Sequence, residues 1–93
     1  MFERVLKRLR ENIRKNEYIM TLHAGEEMSD DGLSIYDVER CILTGAILER
    51  QKDKVSGEQK YRIRGKTVNG NGIEVIAKMS PTRKLVVITV YAL

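Results

Sequence analysis

The chain has 93 residues, with 17 Lys and Arg against 13 Asp and Glu, and its formal net charge is +4. This length fits one small domain spanning residues 1–93 and excludes a two-domain enzyme. One Cys excludes an intramolecular disulfide and favours a reducing compartment. The N-terminal MFERVLKRLR lacks the apolar core of a secretory signal, and no run of apolar residues is long enough to span a membrane. We therefore expect a cytoplasmic protein with no membrane segment.

The charges are distributed in three blocks. Residues 1–15 carry six bases and two acids, residues 16–49 carry eight acids and one base, and residues 50–93 carry ten bases and three acids. Blocks of opposite sign indicate charged partners, or they neutralise one another across the folded core. The sequence leaves both interpretations open.

Apolar spacing predicts three helices in the first half of the chain. A stripe at i, i+3, i+4, i+7 and i+11 predicts an amphipathic first helix: Phe2, Val5, Leu6, Leu9 and Ile13. A short extended stretch at 18–20 precedes Thr21, which we predict to cap a second helix through Met28. Ser34 and Asp37 form a shortened capping box for a third helix that ends at Gly45.

After Gly45 the apolar period changes from 3.6 to 2, which predicts β-strands. We expect strands at 46–51, 60–68, 73–79 and 85–91, with an Asn-Gly turn between the second and third. The last strand is apolar at nearly every position, as in a strand covered on both faces. The predicted fold class is α+β: N-terminal helices packed on a twisted antiparallel sheet of about four strands.

The second predicted strand contains the most informative pattern, Lys60-Tyr61-Arg62-Ile63-Arg64-Gly65-Lys66. Strand alternation places its four cations on one face, with Tyr61, Ile63 and Thr67 directed to the core. Four like charges in a row favour binding of a large anion, such as a phosphodiester backbone or an acidic protein segment. An ordinary solvent-exposed face is the alternative, and Glu74 on the next strand is a candidate partner for one cation.

His23 is the only histidine, and Glu26 and Glu27 follow at i+3 and i+4. One helical turn would place a carboxylate against the imidazole, which suits a general acid or base but equally a structural histidine. A metal site is the weakest interpretation, because the ligand count is too low. Tyr91 lies near the end of the last strand, either at the rim of the cationic face or as a core aromatic.

Several segments resemble a known family. Leu22-His23-Ala24-Gly25-Glu26-Glu27-Met28, then Asp31-Gly32-Leu33-Ser34, and later GIEVIAKM and VVITVY, resemble small prokaryotic proteins of unknown function whose signature reads HAxxRM and then RGIS. This chain has Glu27 and Asp31 where that signature usually has Arg. The resemblance implies a RelE-like fold, similar to that of the RelE, BrnT and MqsR toxins, and an antitoxin partner, often of zinc-finger type. It also implies cleavage of mRNA without a metal or other cofactor.

Metal-free RNA cleavage uses the 2′-hydroxyl as nucleophile, and it needs a base, an acid and cations around the phosphate. The candidates for catalysis that follow from this analogy are Arg62, Lys60, His23, Tyr91 and Glu74. The candidates for binding the substrate are Arg64, Lys66, Arg83 and Lys84.

Two functions therefore remain: an endoribonuclease toxin of a type II toxin–antitoxin system, and a non-catalytic module that binds RNA or protein. A basic first helix lying on a membrane surface is a weaker third idea, because a small domain needs that apolar stripe for its core. The sequence leaves open whether the protein forms a homodimer.

Overall fold

The structure is a computed structural model that describes all 93 residues. Three helices and five strands follow one another along the chain. Their bounds are α1 Glu3–Arg14, β1 Tyr18–Met20, α2 Leu22–Asp30, α3 Ile35–Thr44, β2 Ala46–Lys52, β3 Gln59–Lys66, β4 Gly72–Met79 and β5 Leu85–Ala92. The predicted α+β class is confirmed. None of the helices has the length and apolar character needed to cross a membrane.

The strands form one sheet in the order β1-β5-β4-β3-β2. From β2 to β5 it is an antiparallel meander, as predicted. The expectation of about four antiparallel strands was wrong in one respect, because the stretch at 18–20 is a fifth strand that pairs parallel with β5. The chain passes through α2, α3 and the whole meander between β1 and its parallel partner β5. Local sequence patterns therefore do not reveal this pairing.

All three helices contribute to one core on a single face of the sheet. Each helix contributes buried residues that pack against the inward side chains of the strands. These residues include Leu9 and Ile13 of α1, Ala24 and Met28 of α2, and Val38 and Ile42 of α3, and β3 contributes Tyr61 and Ile63. The opposite face, which we call the open face, carries no helix. The prediction that 85–91 is covered on both faces was therefore wrong: Thr89 and Tyr91 on the open face are partly exposed.

The helix starts follow the predicted capping signals. The hydroxyl of Thr21 accepts from the amide of Ala24 at 3.1 Å. The amide of Ser34 donates to one carboxylate oxygen of Asp37 at 2.9 Å, and the other oxygen accepts from the amide of Val68 at 2.9 Å. Asp37 therefore anchors the β3–β4 hairpin to α3 as well as starting that helix.

Gly45 follows the last residue of α3, but it does not adopt the left-handed conformation of a typical helix-ending glycine. Its φ and ψ are −86° and −164°. A Cβ atom there would lie 2.5 Å from the carbonyl oxygens of both Arg64 and Cys41. The glycine is needed because β3 and the end of α3 approach each other too closely for a side chain.

Helix α2 closes one edge of the sheet. Beyond the three residues that pair with β1, the outer side of β5 is bonded by side chains instead of another strand. The carboxylate of Glu27 accepts from the amide of Val90 at 3.1 Å, and that of Asp31 accepts from the amide of Ala92 at 3.0 Å. The two acids that depart from the signature motif thus satisfy backbone donors of an edge strand.

Candidate functional site

Glu74 lies at the centre of a polar cluster on the open face. Its carboxylate accepts hydrogen bonds from the phenol of Tyr91 and from Nε of Arg64, the latter at 2.6 Å. Nη1 of Arg62 approaches the same carboxylate at 3.1 Å. Nε of Arg62 donates to Glu49 at 2.9 Å. These five side chains form the Glu74 cluster, and they join strands β2, β3, β4 and β5.

The sheet register explains why these side chains meet. Arg64, Glu74 and Tyr91 are directly opposite one another on β3, β4 and β5, and Glu49 is opposite Arg62 on β2 and β3. Cross-strand neighbours on one face lie about 5 Å apart, within reach of these side chains. Because the cluster is built on four hydrogen-bonded strands, its geometry is held by the backbone and not by a loop.

Burial and charge act in opposite directions on Glu74. Only 1% of its surface is exposed, and this burial alone would raise the pKa of the carboxyl group. Hydrogen bonds from Tyr91, Arg64 and Arg62 outweigh burial and hold the pKa below the usual 4.5. The hydrogen bond between Tyr91 and Glu74, together with burial, raises the pKa of Tyr91 above 10. The cluster therefore holds an ionised carboxylate beside a protonated phenol at neutral pH.

The predicted alternation of β3 is confirmed, because its cations share one face of the strand. The cations are not free, however, because most of them are paired with acidic side chains. The side chains of Tyr61, Ile63 and Thr67 are buried on the core side, as predicted. On the open face, Arg62 and Arg64 are paired with carboxylates, and Nζ of Lys60 lies 4.0 Å from Asp53. Lys78 pairs with Glu58 on the same face. Only Lys66 of the four predicted cations has no acidic partner, because neighbouring strands supply acids that the single-strand pattern does not show.

His23 lies outside the Glu74 cluster. Its Nε2 is 3.3 Å from the carboxylate of Glu27, so the predicted carboxylate–imidazole contact is present on α2. The imidazole is 67% exposed, and the carboxylate it meets is the one that caps the amide of Val90. His23 makes no hydrogen bond to Glu74, Tyr91 or the arginines. The structure therefore brings together Arg62, Arg64, Glu74 and Tyr91, with His23 at the sheet edge.

Arg83 and Lys84 are also distant from the cluster. They belong to the turn that follows Met79, five residues beyond Glu74 along β4. At about 3.4 Å per residue, the end of β4 lies roughly 17 Å from Glu74. A single phosphate cannot contact both places, so these two cations and the Glu74 cluster are separate surfaces.

Glu49 is the member of the cluster that the sequence did not indicate. It lies on an edge strand whose register shifts between Ile47 and Glu49. This irregularity changes which β2 side chains face β3, so counting from the turn does not identify Glu49 as the partner of Arg62. Its residue type, opposite in sign to the β3 cations, was the only available signal.

The chemical capacity of the cluster follows from its contents. Arg62 and Arg64 can bind and polarise an anion, Tyr91 can give up or accept a proton, and Glu74 can share the proton of Tyr91. No group of three or more His, Cys, Asp or Glu side chains is arranged to hold a metal ion.

Comparison with protein families gave one match, over residues 20–92, to a family described as a domain of unknown function, DUF4258. The chain belongs to the DUF4258 family. The matched region contains the whole meander and the Glu74 cluster, whereas α1 lies before it. The expected membership of a family of unknown function is thereby confirmed. Searches among curated proteins and among solved structures gave no match.

Proposed function

We propose that this DUF4258 protein is a metal-independent endoribonuclease, similar in action to the RelE and MqsR toxins, and that the Glu74 cluster is its catalytic site. One observation carries the proposal: two guanidinium groups, a phenol and a buried carboxylate converge on the open face of the sheet. These are the functional groups that cleavage through the 2′-hydroxyl requires.

The arginines retain donors for a phosphate even while they bind Glu74. Arg62 uses Nε for Glu49 and Nη1 for Glu74, which leaves Nη2 free. Arg64 uses Nε and Nη2 for Glu74, which leaves Nη1 free. The side chains are 26% and 51% exposed, so a phosphate reaches them from solvent. In this proposal they stabilise the charge that develops on the phosphoryl oxygens, with Lys60 as a further contact.

Tyr91 and Glu74 manage the proton. The 2′-oxygen forms a bond to phosphorus while its proton passes to Oη of Tyr91, whose own proton moves to Glu74. The bond from phosphorus to the 5′-oxygen breaks, and the pair returns one proton to that leaving oxygen. The products are a 2′,3′-cyclic phosphate and a free 5′-hydroxyl, with no net change in protonation. Glu74 acts through Tyr91 and is a positioning residue, because its carboxylate is buried.

The test is incubation of purified protein with RNA, followed by analysis of the fragment ends. We expect 2′,3′-cyclic phosphate ends from the wild type. Arg62→Ala should lower the cleavage rate by about 10²–10³-fold, the usual effect of removing one stabilising donor. Tyr91→Phe should lower it by about 10²-fold or more. Lys54→Ala, at an exposed position without an ion pair, is the control and should cleave normally.

An intact RNA pool with folded wild-type protein would refute the nuclease proposal. The second candidate function is then an RNA-binding module without catalysis, favoured by the free Nη donors of Arg62 and Arg64. In that case Arg62→Ala weakens RNA binding, whereas Tyr91→Phe leaves it unchanged. The cleavage assay separates the candidates, because only a nuclease releases fragments with 2′,3′-cyclic phosphate ends and loses that activity in Tyr91→Phe.

A toxin role adds two expectations. Expression of the wild-type protein in the cytoplasm of its host should arrest growth of the cells, and Arg62→Ala should relieve the arrest. We also propose an antitoxin partner of zinc-finger type. An adjacent reading frame with paired Cys-x-x-Cys motifs, whose product neutralises the toxicity, is the observation that tests it.

A further inference from the structure

A polar groove runs between α1 and the turn that joins β4 to β5. It has a volume of about 440 Å³, and only one of its eight lining residues is apolar. Arg8 lines it from α1, Lys15 from the residue that caps the end of α1, and Arg83 from the turn. The three cations therefore converge from two elements that are far apart in sequence.

The backbone of Arg83 is held in an unusual conformation. Its φ is +64°, in the left-handed region that non-glycine residues rarely adopt. The side-chain amide of Asn12 donates to the carbonyl oxygen of Arg83 at 2.8 Å and to that of Glu17 at 2.9 Å. Asn12 is 8% exposed and lies at the floor of the groove, so a buried side chain of α1 fixes the turn that carries Arg83.

The exposed bases of the first 15 residues and of the β4–β5 turn are free of ion pairs. No carboxylate lies within 4.0 Å of these bases, which are Arg4, Lys7, Arg8, Arg14, Lys15, Arg83 and Lys84. The remaining base of α1, Arg10, donates to the carbonyl oxygens of Ile42 and Gly45 and is committed to packing. Unpaired cations such as Arg8, Lys15 and Arg83 around the groove produce a positive field that paired cations do not.

We propose that the groove between α1 and the β4–β5 turn binds the phosphodiester backbone of single-stranded RNA, with Arg8, Lys15 and Arg83 as the contacts. The proposal takes its ligand class from the proposed function but concerns a different surface. Arg8 lies on α1 and Lys15, seven residues later, caps the end of that helix. The two residues are therefore separated by about 10 Å along the helix axis. That span accommodates contacts to successive phosphates.

The composition of the groove favours RNA over an acidic protein segment. Protein partners bury apolar anchor residues, and a groove with Met79 as its only apolar lining residue offers little for them to bind. A phosphodiester backbone needs cations and polar donors alone. Glu11 and Glu17 also line the groove, and an anionic ligand must tolerate them. Removing one of these two negative charges should therefore strengthen RNA binding, the opposite of the effect of removing a cation.

The test uses a fluorescent 20-nucleotide oligouridylate whose 2′-hydroxyls are methylated, so that no nucleophile for cleavage remains. The dissociation constant is measured at several salt concentrations. The groove variant is Arg8→Gln with Arg83→Gly, because glycine accepts the left-handed conformation and preserves the turn. The matched control is Lys52→Gln with Lys54→Gln, which removes two exposed, unpaired charges from β2 and the following loop.

We expect the groove variant to bind about 10-fold or more weakly and to lose about 1.4 from the slope of log K against log salt, since each single-strand contact adds roughly 0.7. The control should change the dissociation constant by less than about 3-fold. Glu11→Gln should tighten binding. Equal losses in groove variant and control, or no loss in either, would overturn the proposal. Equally tight binding of a polyglutamate peptide by the wild type would overturn the choice of RNA.

A second readout separates this proposal from the nuclease proposal. With cleavable RNA, the groove variant should raise KM and leave kcat unchanged, because it binds substrate away from the reacting phosphate. A loss of kcat without a change in KM would contradict the groove assignment. If the wild type binds the methylated RNA through the groove but never cleaves unmodified RNA, the nuclease proposal fails and the groove proposal stands.

Discussion

The open face of the sheet and the α1 groove are both rich in arginine and lysine, yet they treat those charges in opposite ways. On the open face, Arg62, Arg64, Lys60 and Lys78 each meet a carboxylate. Around the groove, the exposed bases of α1 and of the turn meet none. A run of cations in a sequence therefore says little about surface field until the strands beside it are known.

The difference suits two separate tasks. Ion pairs fix side-chain positions, which a reaction requires, but they cancel the field beyond the immediate contacts. Unpaired cations attract an extended anion from a distance and hold it loosely. We thus propose that the sheet carries the reaction site, with fixed side chains, and that the groove beside α1 carries a positively charged surface that attracts RNA. Substitutions at Glu74, Asn12 and Arg83 each alter one side of that comparison.

The largest stability effect should come from Glu74. Glu74→Ala removes a carboxylate that is 1% exposed and leaves Arg64 without a partner. We expect the free energy of unfolding to fall by about 2–4 kcal/mol, as for other broken buried pairs with partly exposed partners. Urea denaturation measures it. The groove counterpart Glu11→Ala should change stability by less than about 0.5 kcal/mol, and a similar loss in both would remove the contrast.

Acid should selectively weaken the sheet cluster. The pKa of Glu74 is lowered in the folded protein, so its stabilisation is complete above the unfolded value near 4.5 and is lost as the pH falls through the folded value. The stability difference between wild type and Glu74→Gln should therefore be largest at neutral pH and shrink below about pH 4.5. Denaturation curves at several pH values measure it. A constant difference would mean that Glu74 is not the titrating group.

Asn12 tests how firmly the turn is attached to α1. Asn12→Ala removes the hydrogen bonds to the carbonyl oxygens of Glu17 and Arg83. We expect a loss of about 1–2 kcal/mol in unfolding free energy, together with faster hydrogen exchange at the amide of Leu85, which bonds to the same Glu17 carbonyl. Unchanged exchange there would show that Asn12 does not hold the turn.

The smallest expected effect is an increase in stability. Arg83→Gly relieves the left-handed backbone and should stabilise the protein by about 0.5–1 kcal/mol while it weakens RNA binding. Arg83→Ala removes the same charge but keeps the strain, so it should weaken binding without the gain. Thermal denaturation with parallel binding measurements distinguishes the two variants. Loss of stability in Arg83→Gly would show that the arginine side chain has a structural role.

Local signals carried much of the fold prediction. The stripe from Phe2 to Ile13, the caps at Thr21 and Ser34, and the Asn-Gly hairpin all depend on residues close in sequence, and each element lies within two residues of its predicted bounds. The fifth strand is different. Tyr18–Met20 is too short to carry a period, and its partner β5 begins 65 residues later in the chain, at Leu85.

The candidate site was predictable to the same extent. Alternation correctly assigned Arg62 and Arg64 to one face, and Glu74 was identified as a possible partner. The neutralisation of that face was missed, because Glu49, Asp53 and Glu58 come from neighbouring segments. The sequence left open whether the charge blocks neutralise one another. In the structure, Glu49–Arg62 is the only ion pair that joins the acidic segment 16–49 to a basic one.

The carboxylates of Glu27 and Asp31 have a consequence for assembly. Because they occupy the outward amides of β5, that border of the sheet offers a second chain no free row of donors for pairing. Two edges remain: the three-residue strand β1, and β2, whose outer side is open but interrupted by its register shift. The longer edge for a protein that extends this sheet by adding a strand, including a second copy of this chain, is Ala46–Lys52.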